Sequence, residues 1–252
     1  MEKIYSKKFV AFYDYGCYGP IPKRKDIAFY TNYFRSFKGK ILEIGAGTGG
    51  ITIPLLKRGL NLTALDISPA MIEILRAKIK KEGLSARVIR GDMRKLNLKN
   101  KFDAVIITFR PFQHLYSVVD QMSALMSIKK ILKKGGILIF DVFNPNWKYI
   151  SKGNWRWQKS NAITLPNTRR KIKAERRNRY DMAEQMMHEE WRFVYPNGKT
   201  EIIPLKMRFF FRFEIEHLLN LIGFKVKNLY GDFDKSKFKT NSPEMIWIVK
   251  PV

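Results

Sequence analysis

Between residues 40 and 142 short apolar runs alternate with stretches of helical period, the order expected of βαβ units around a mostly parallel sheet. Lys40–Ile44, Asn61–Leu65, Ala86–Arg90, Phe102–Thr108 and Ile137–Val142 read as its strands. One helix should follow the glycine cluster after the first run and end near Lys57. A second opens with Ser68 as N-cap and Pro69 at the first helical position and runs to about Lys81. A third spans about Val118 to Leu132, closed by the turn Lys133-Lys134-Gly135-Gly136. From Asn144 to Phe213 the helical period disappears. Glu190–Tyr195 and Lys199–Pro204, joined through Pro196-Asn197-Gly198, predict a hairpin there. The period returns over Glu214–Leu221, ends at Gly223, and is followed by strands Phe224–Leu229 and Met245–Val249.

The pattern therefore predicts an α/β chain: a doubly wound, seven-stranded, mostly parallel sheet with an antiparallel β insertion after the fifth strand. It divides into an N-terminal segment (1–38), a core (39–143 and 214–252) and the insertion (144–213).

Composition narrows the function classes. At 45% hydrophobic over 252 residues the chain can bury a full core, which excludes a disordered protein. A single cysteine, Cys17, can close no internal disulfide and form no zinc cluster, which suits a reducing compartment. No apolar h-region follows the N-terminal charges and no run reaches the length of a membrane span, so the expected location is cytoplasmic, without membrane contact. Lys and Arg number 48 against 22 Asp and Glu, for a net charge of +26. Such a field attracts phosphates, and it equally keeps a protein soluble; charge alone leaves both readings open.

The candidate chemistry lies at the strand ends. Gly45, Gly47 and Gly49 follow the first strand, where the chain must turn into a helix while its backbone approaches a ligand closely. Asp66, 21 positions after Gly45, ends the second strand where a carboxylate can accept from ribose hydroxyls. Gly45, Gly47 and Gly50 also satisfy a dinucleotide pattern, so glycine spacing does not exclude NAD. Glu43 inside the first strand, Asp92 after Gly91 at the end of the third, and the Lys-Lys-Gly-Gly turn favour another cofactor.

Together these features resemble the class I S-adenosylmethionine-dependent methyltransferases over nearly the whole chain. The first family motif matches Leu42-Glu43-Ile44-Gly45-Ala46-Gly47-Thr48-Gly49, the ribose-binding acid Asp66 in Leu65-Asp66-Ile67-Ser68, the adenine-binding acid Asp92 in Gly91-Asp92-Met93, and the pre-strand turn Leu132 to Gly136. The resemblance implies an antiparallel last strand, S-adenosylmethionine as cofactor with S-adenosylhomocysteine as product, and no metal. It assigns cofactor contact to Glu43, Gly45, Ala46, Gly47, Gly49, Asp66, Ile67, Asp92 and Met93.

Thr108-Phe109-Arg110-Pro111-Phe112-Gln113-His114-Leu115 lacks the Asn/Asp-Pro-Pro-Tyr/Phe of base-directed amino-methyltransferases. It looks instead like the Asn-Ser-Phe-x-His-Leu segment of glycine N-methyltransferase and related small-molecule enzymes, with Arg110 and Pro111 replacing the first two residues. His114 is the candidate general base, or else a histidine bonded to backbone beneath the loop. Arg110 is the candidate clamp for an anionic acceptor, or else a solvent-facing arginine; Gln113 carries less. Phe12 to Gly19 resembles the aromatic lid of related enzymes, with Tyr13 facing the sulfonium or merely packing; Asp26, Phe29 and Tyr30 belong to the helix that follows. Tyr230 to Asp234 reads as a loop at the site's rim.

The insertion resembles the small sheet that covers the active site, or forms a homodimer, in sugar and glycine N-methyltransferases. Arg169, Arg170, Lys171, Lys173, Arg176, Arg177 and Arg179 make a basic stripe with Glu175 as its lone acid. It would hold RNA phosphates, with Tyr180 or Trp191 for stacking, or line an edge strand against aggregation. The expected activity is methyl transfer to nitrogen or oxygen of a small acceptor. An RNA methyltransferase and a non-catalytic cofactor-binding protein are the alternatives.

Overall fold

The computed structural model describes residues 10, 13–14, 24–145, 147–150, 155–160, 162–164 and 171–252. Most of the segment Phe12 to Gly19, including Cys17, and both Arg169 and Arg170 lie outside the described residues. The chain divides into two compact units, one of Lys25–Pro145 with Phe209–Val252, the other of Met1–Arg24 with Asn146–Arg208.

The first unit holds strands β1 (Ile41–Ile44), β2 (Leu62–Asp66), β3 (Arg87–Arg90), β4 (Phe102–Ile107) and β5 (Leu132–Phe143). With β11 (Phe224–Tyr230) and β12 (Glu244–Pro251) they form one seven-stranded sheet in the order β11-β12-β5-β4-β1-β2-β3. Pairings β1–β2, β1–β4, β2–β3 and β4–β5 are parallel. β12 is antiparallel to both of its neighbours, so it alone is reversed. The predicted fold class is the observed one. All four residues of β1 and five of the six in β4 are buried, because helices cover both faces of a parallel sheet and leave no solvent side to reward alternation. β3, at the edge, buries none of its residues.

Local signals place the helices. Ser68 Oγ accepts from Met71 N at 3.3 Å, capping Pro69–Lys81, and Lys78, Lys80 and Lys81 end that helix. Ser117 does the same for Val118–Ile131 through Asp120 N. The last helix, Arg212–Ile222, starts two residues before the predicted Glu214, because Glu214 Oε2 reaches back to Phe211 N and Gly223 closes the other end at φ +80°. β5 begins earlier than expected: the turn Leu132 to Gly136 pairs with β4 across a register shift between Phe102 and Ala104. No helix among the described residues is long and apolar enough to cross a membrane.

The second unit contains β6 (Gln158–Lys159), β7 (Ile163–Thr164), β8 (Lys171–Asp181), β9 (Met186–Val194) and β10 (Thr200–Arg208). All pair antiparallel, in the order β10-β9-β8-β6, with β7 also on β8. The hairpin is longer than the sequence pattern showed. Pro204 is tolerated inside β10 because that strand is an edge and needs no second ladder. Ile163, Ile172, Ala174, Trp191, Phe193 and Ile203 form one apolar face. Trp191 is 1% exposed, stacks on Phe193 and donates from its indole N–H to Glu189 Oε1 at 2.7 Å. It is core, so the expectation that it stacks on a nucleobase is overturned by burial.

In the first unit Phe112 lies between Phe140 and Phe210, with ring centroids 5.2 and 5.6 Å away, and is fully buried. It roots the segment after β4 in the core. Phe112→Ala is expected to cost about 3–5 kcal/mol of unfolding free energy in urea titration, as for other buried aromatic truncations.

Candidate active site

In this sheet the chain winds from β1 to β2 and β3 on one side, then returns to β4 and β5 on the other. The loops leaving β1 and β4 therefore diverge at their carboxyl ends, the crevice where ligands of open α/β sheets bind. The loop after β1 is tied to β2: Gly45 N and Ala46 N both donate to Leu65 O, at 2.8 and 3.0 Å. Gly45, Gly47 and Gly49 all have positive φ, of 71°, 55° and 94°. At Gly45 a β-carbon would collide with the Pro111 ring, and at Gly49 with Leu75. At Gly47 the Met71 sulfur is, among the described residues, the one atom nearby, 4.0 Å from where a β-carbon would be. The first and third glycines thus serve packing and the middle one leaves room beside the loop.

Asp66 clamps this loop from the end of β2. Its Oδ2 accepts from Gly47 N and its Oδ1 from Ser68 N, both at 2.8 Å. Burial raises the Asp66 carboxyl above the ordinary carboxylate value, while the N–H groups of Ser68, Gly47 and Ile67 oppose the shift. Each oxygen keeps a lone pair for a diol. Asp92 caps the short turn Met93–Lys95, accepting from Arg94 N at 2.9 Å and holding the Arg94 guanidinium through both oxygens; Arg94 also bridges to Asp120. Burial would raise the Asp92 carboxyl, but Arg94 outweighs it and holds it below its usual value. Met93 and Ala46 are buried and Ile67 is half-buried.

Glu43 is fully buried. It accepts from Thr52 Oγ1 at 2.6 Å and from Thr108 Oγ1 at 2.9 Å. The structure thus places it beneath the glycine loop, bracing β1 against the next helix and the end of β4. Tyr13 packs against the apolar face of the second unit's sheet.

The segment after β4 is strained. Phe109 and Arg110 are consecutive non-glycine residues at φ +66° and +73°. Asp141, buried within β5, accepts from Phe109 N through Oδ1 and from Arg110 N through Oδ2, each at 3.1 Å. Tyr30 OH also donates to its Oδ1, at 3.1 Å. The Arg110 guanidinium is ion-paired with the buried Glu244 and lies 5.5 Å from the Phe143 ring centroid. Arg110 thus has a carboxylate partner on β12, while its side chain stays 29% exposed. Gln113 is fully buried and accepts from Phe143 N at 3.0 Å, which fixes the turn Pro111–His114 to the end of β5. His114 follows it, 8% exposed, with its ring edge-on to Tyr116.

Asp26, Asp141 and Glu244 are all buried, and Arg110 is ion-paired with Glu244. Burial, with the charges of Glu244 and Asp26, raises the Asp141 carboxyl to about 7. Burial raises Glu244 as well, against the attraction of Arg110. Arg94, Asp141, Glu244 and Tyr30 are absent from the sequence-derived site. Asp141 left one signal, an acid inside the otherwise apolar run Ile137 to Phe143.

Residues 41–136 match the family described as a methyltransferase domain. A putative methyltransferase of Bacillus subtilis, YqeM, is 33% identical over 106 residues; the match covers 42% of this chain and 42% of that protein. The chain thus aligns with less than half of that relative's length. A glycine/sarcosine N-methyltransferase of Aphanothece halophytica is 24% identical over 221 residues, 84% of this chain and 76% of that one. Among solved structures, an S-adenosylmethionine-dependent methyltransferase from Clostridium acetobutylicum superposes with a TM-score of 0.78 at 19% identity, covering 97% of this chain and 98% of that one. CalS10, an amino pentose methyltransferase from Micromonospora echinaspora, does so with 0.71 at 19% identity over 100% of both chains.

Two outcomes follow from this geometry. Asp66→Ala should weaken S-adenosylhomocysteine binding by about 1–3 kcal/mol in calorimetry, the loss expected for hydrogen bonds to a charged acceptor. Asp141 should make the fold pH-dependent. Its folded value, about 7, lies above the ordinary 3.8, so its contribution is full below that ordinary value and is lost as pH rises through 7. The melting temperature should fall between pH 4 and 7, and Asp141→Asn should flatten that slope whatever it does to the absolute melting temperature.

Proposed function

Because the chain belongs to the class I S-adenosylmethionine-dependent methyltransferases, we propose that it transfers a methyl group to the nitrogen of a small, amine-bearing acceptor. The observation that carries this reading is the Asp66 carboxylate holding Gly47 N–H at the crevice between β1 and β4. A carboxylate and a glycine backbone, with no lysine in the loop, suit a cofactor without phosphates better than a dinucleotide. When bound, S-adenosylmethionine supplies an electrophilic methyl group on a sulfonium. Asp66 would hold its ribose hydroxyls, Asp92 its adenine amino group, and Gly45, Ala46, Gly47, Gly49, Ile67 and Met93 would shape the pocket, with Glu43 supporting the loop from below.

The acceptor's charge is read from the segment after β4. Its cation, Arg110, is already ion-paired with the buried Glu244 and so is less available to an anion, which favours an amine over the anionic acceptor that Arg110 first suggested. The glycine/sarcosine and amino pentose enzymes are named for substrates of this class, which supports the same reading. His114 takes up the proton the acceptor nitrogen loses, and the rigid turn held by Gln113 and Phe112 keeps the imidazole in place.

The test is radiolabelled methyl transfer from S-adenosylmethionine into a cell extract separated into small molecules, RNA and protein. Label should enter amines of the small-molecule fraction and be strongly reduced with Asp66→Ala at sub-saturating cofactor. His114→Ala should keep S-adenosylhomocysteine affinity while slowing transfer about 100-fold or more, as for a lost general base. Label in RNA would replace the proposal by an RNA methyltransferase, and tight cofactor binding without transfer to any fraction by a non-catalytic binder.

A further inference from the structure

The basic stripe of residues 167–180 does not form one surface. Along β8 the side chains alternate, so Ile172, Ala174 and Arg176 share the parity of the apolar face while Lys171, Lys173, Glu175, Arg177 and Arg179 point the other way. β7 pairs with residues 171–172 of β8 and β6 with residues 175–176, so the two lysines do not line an open strand edge. Protection against edge pairing therefore does not account for them.

On the polar face two tryptophans fold back over the sheet. The Arg177 guanidinium is 4.4 Å from the Trp155 ring centroid and 4.5 Å from that of Trp157. Arg192, on β9, is 4.3 Å from Trp157, and Arg179 is 5.5 Å from Trp155. The groups succeed one another as Arg179, Trp155, Arg177, Trp157, Arg192. The inner two arginines are neutralised, Arg177 by Glu190 at 2.7 Å and Arg192 by Glu175 at 2.5 Å. Arg179 is not: among the described residues neither it, nor Lys171, nor Lys173 is paired with a carboxylate. Across the strands Arg179 faces His188 and then Lys206. Burial, then the charges of Arg179 and Lys206, lowers the His188 imidazole. Trp155, at the Arg179 end, remains 37% exposed.

We propose that this face of the second unit's sheet binds single-stranded nucleic acid, with phosphates on Lys171, Lys173 and Arg179 and a base stacked on Trp155. The inference is independent of the methyl-transfer reading, because it invokes no residue of the first unit. An exposed ring beside the unneutralised Arg179, with Lys171 and Lys173 further along the same strand, is the combination that sequence-tolerant strand binding requires. The neutralised pairs hold the tryptophans in register. The net charge of +26 adds long-range attraction for a polyanion.

The experiment uses the full chain and fluorescently labelled oligouridylate, oligoadenylate and the corresponding DNA strands, titrated by anisotropy at several salt concentrations. With about three phosphates neutralised, affinity should fall about twenty-fold between about 50 and 200 mM salt. Trp155→Ala should weaken binding about ten-fold, and Trp155→Phe should restore most of it. The pair Lys171→Glu and Lys173→Glu should weaken it further. The exposed lysines of β11, changed as Lys225→Glu and Lys227→Glu, alter the net charge equally and should have little effect. Melting curves check that each variant folds. Equal losses from both lysine pairs, or no loss from folded Trp155→Ala, would overturn the proposal in favour of diffuse charge attraction. Equally strong binding of polyglutamate would overturn it in favour of an acidic protein partner.

Discussion

The crevice depends on one kind of bond, a buried carboxylate accepting from backbone N–H groups that the fold cannot satisfy otherwise. Where β1 and β4 end, the chain enters left-handed turns whose N–H groups point away from the sheet ladder. Water would satisfy them on the surface, but at a crevice floor it would also let the loops drift. Asp66 takes Gly47 and Ser68; Asp141 takes Phe109 and Arg110. Glu43 joins the two sides from below, accepting from one threonine after each strand. With Pro111 filling the place of the β-carbon that Gly45 lacks, the two loops become a single rigid wall.

Burying these carboxylates has an electrostatic cost, and it falls unevenly. Asp66 is compensated by three backbone donors and Asp92 by a guanidinium. Asp141 shares its surroundings with Glu244 and Asp26, and its backbone donors do not offset burial together with like charge. The strain at Phe109 and Arg110 persists because that carboxylate and the Arg110–Glu244 pair over-determine the turn.

The second unit disposes of its charge differently. Its sheet separates an apolar face, centred on Trp191 and Phe193, from a polar one where arginines stack on Trp155 and Trp157. Cations held against indoles and carboxylates cost little and order the face. Those left over, at its ends, are what a polyanion would meet.

The seven-stranded sheet, the capped helix after Ser68, the glycine turn and the acids at 66 and 92 were all legible in the chain. Each depends on neighbours a few residues away: apolar runs long enough to be buried strands, a cap beside its proline, glycines where a β-carbon would clash. The length of β8, the parity that splits its basic stripe, and the burial of Trp191 were not, because a strand rich in Arg and Lys carries little apolar alternation. Nor was the meeting of Asp141, Tyr30, Arg110 and Glu244, whose members lie up to 214 positions apart. Local periodicity thus determined the fold and the glycine-loop side of the crevice. Which charges are spent on one another was decided only when β5 met β12 and the helix Lys25–Tyr33 in the first unit, and β8 met β9 in the second, because pairing depends on distance in space and burial, not on spacing along the chain.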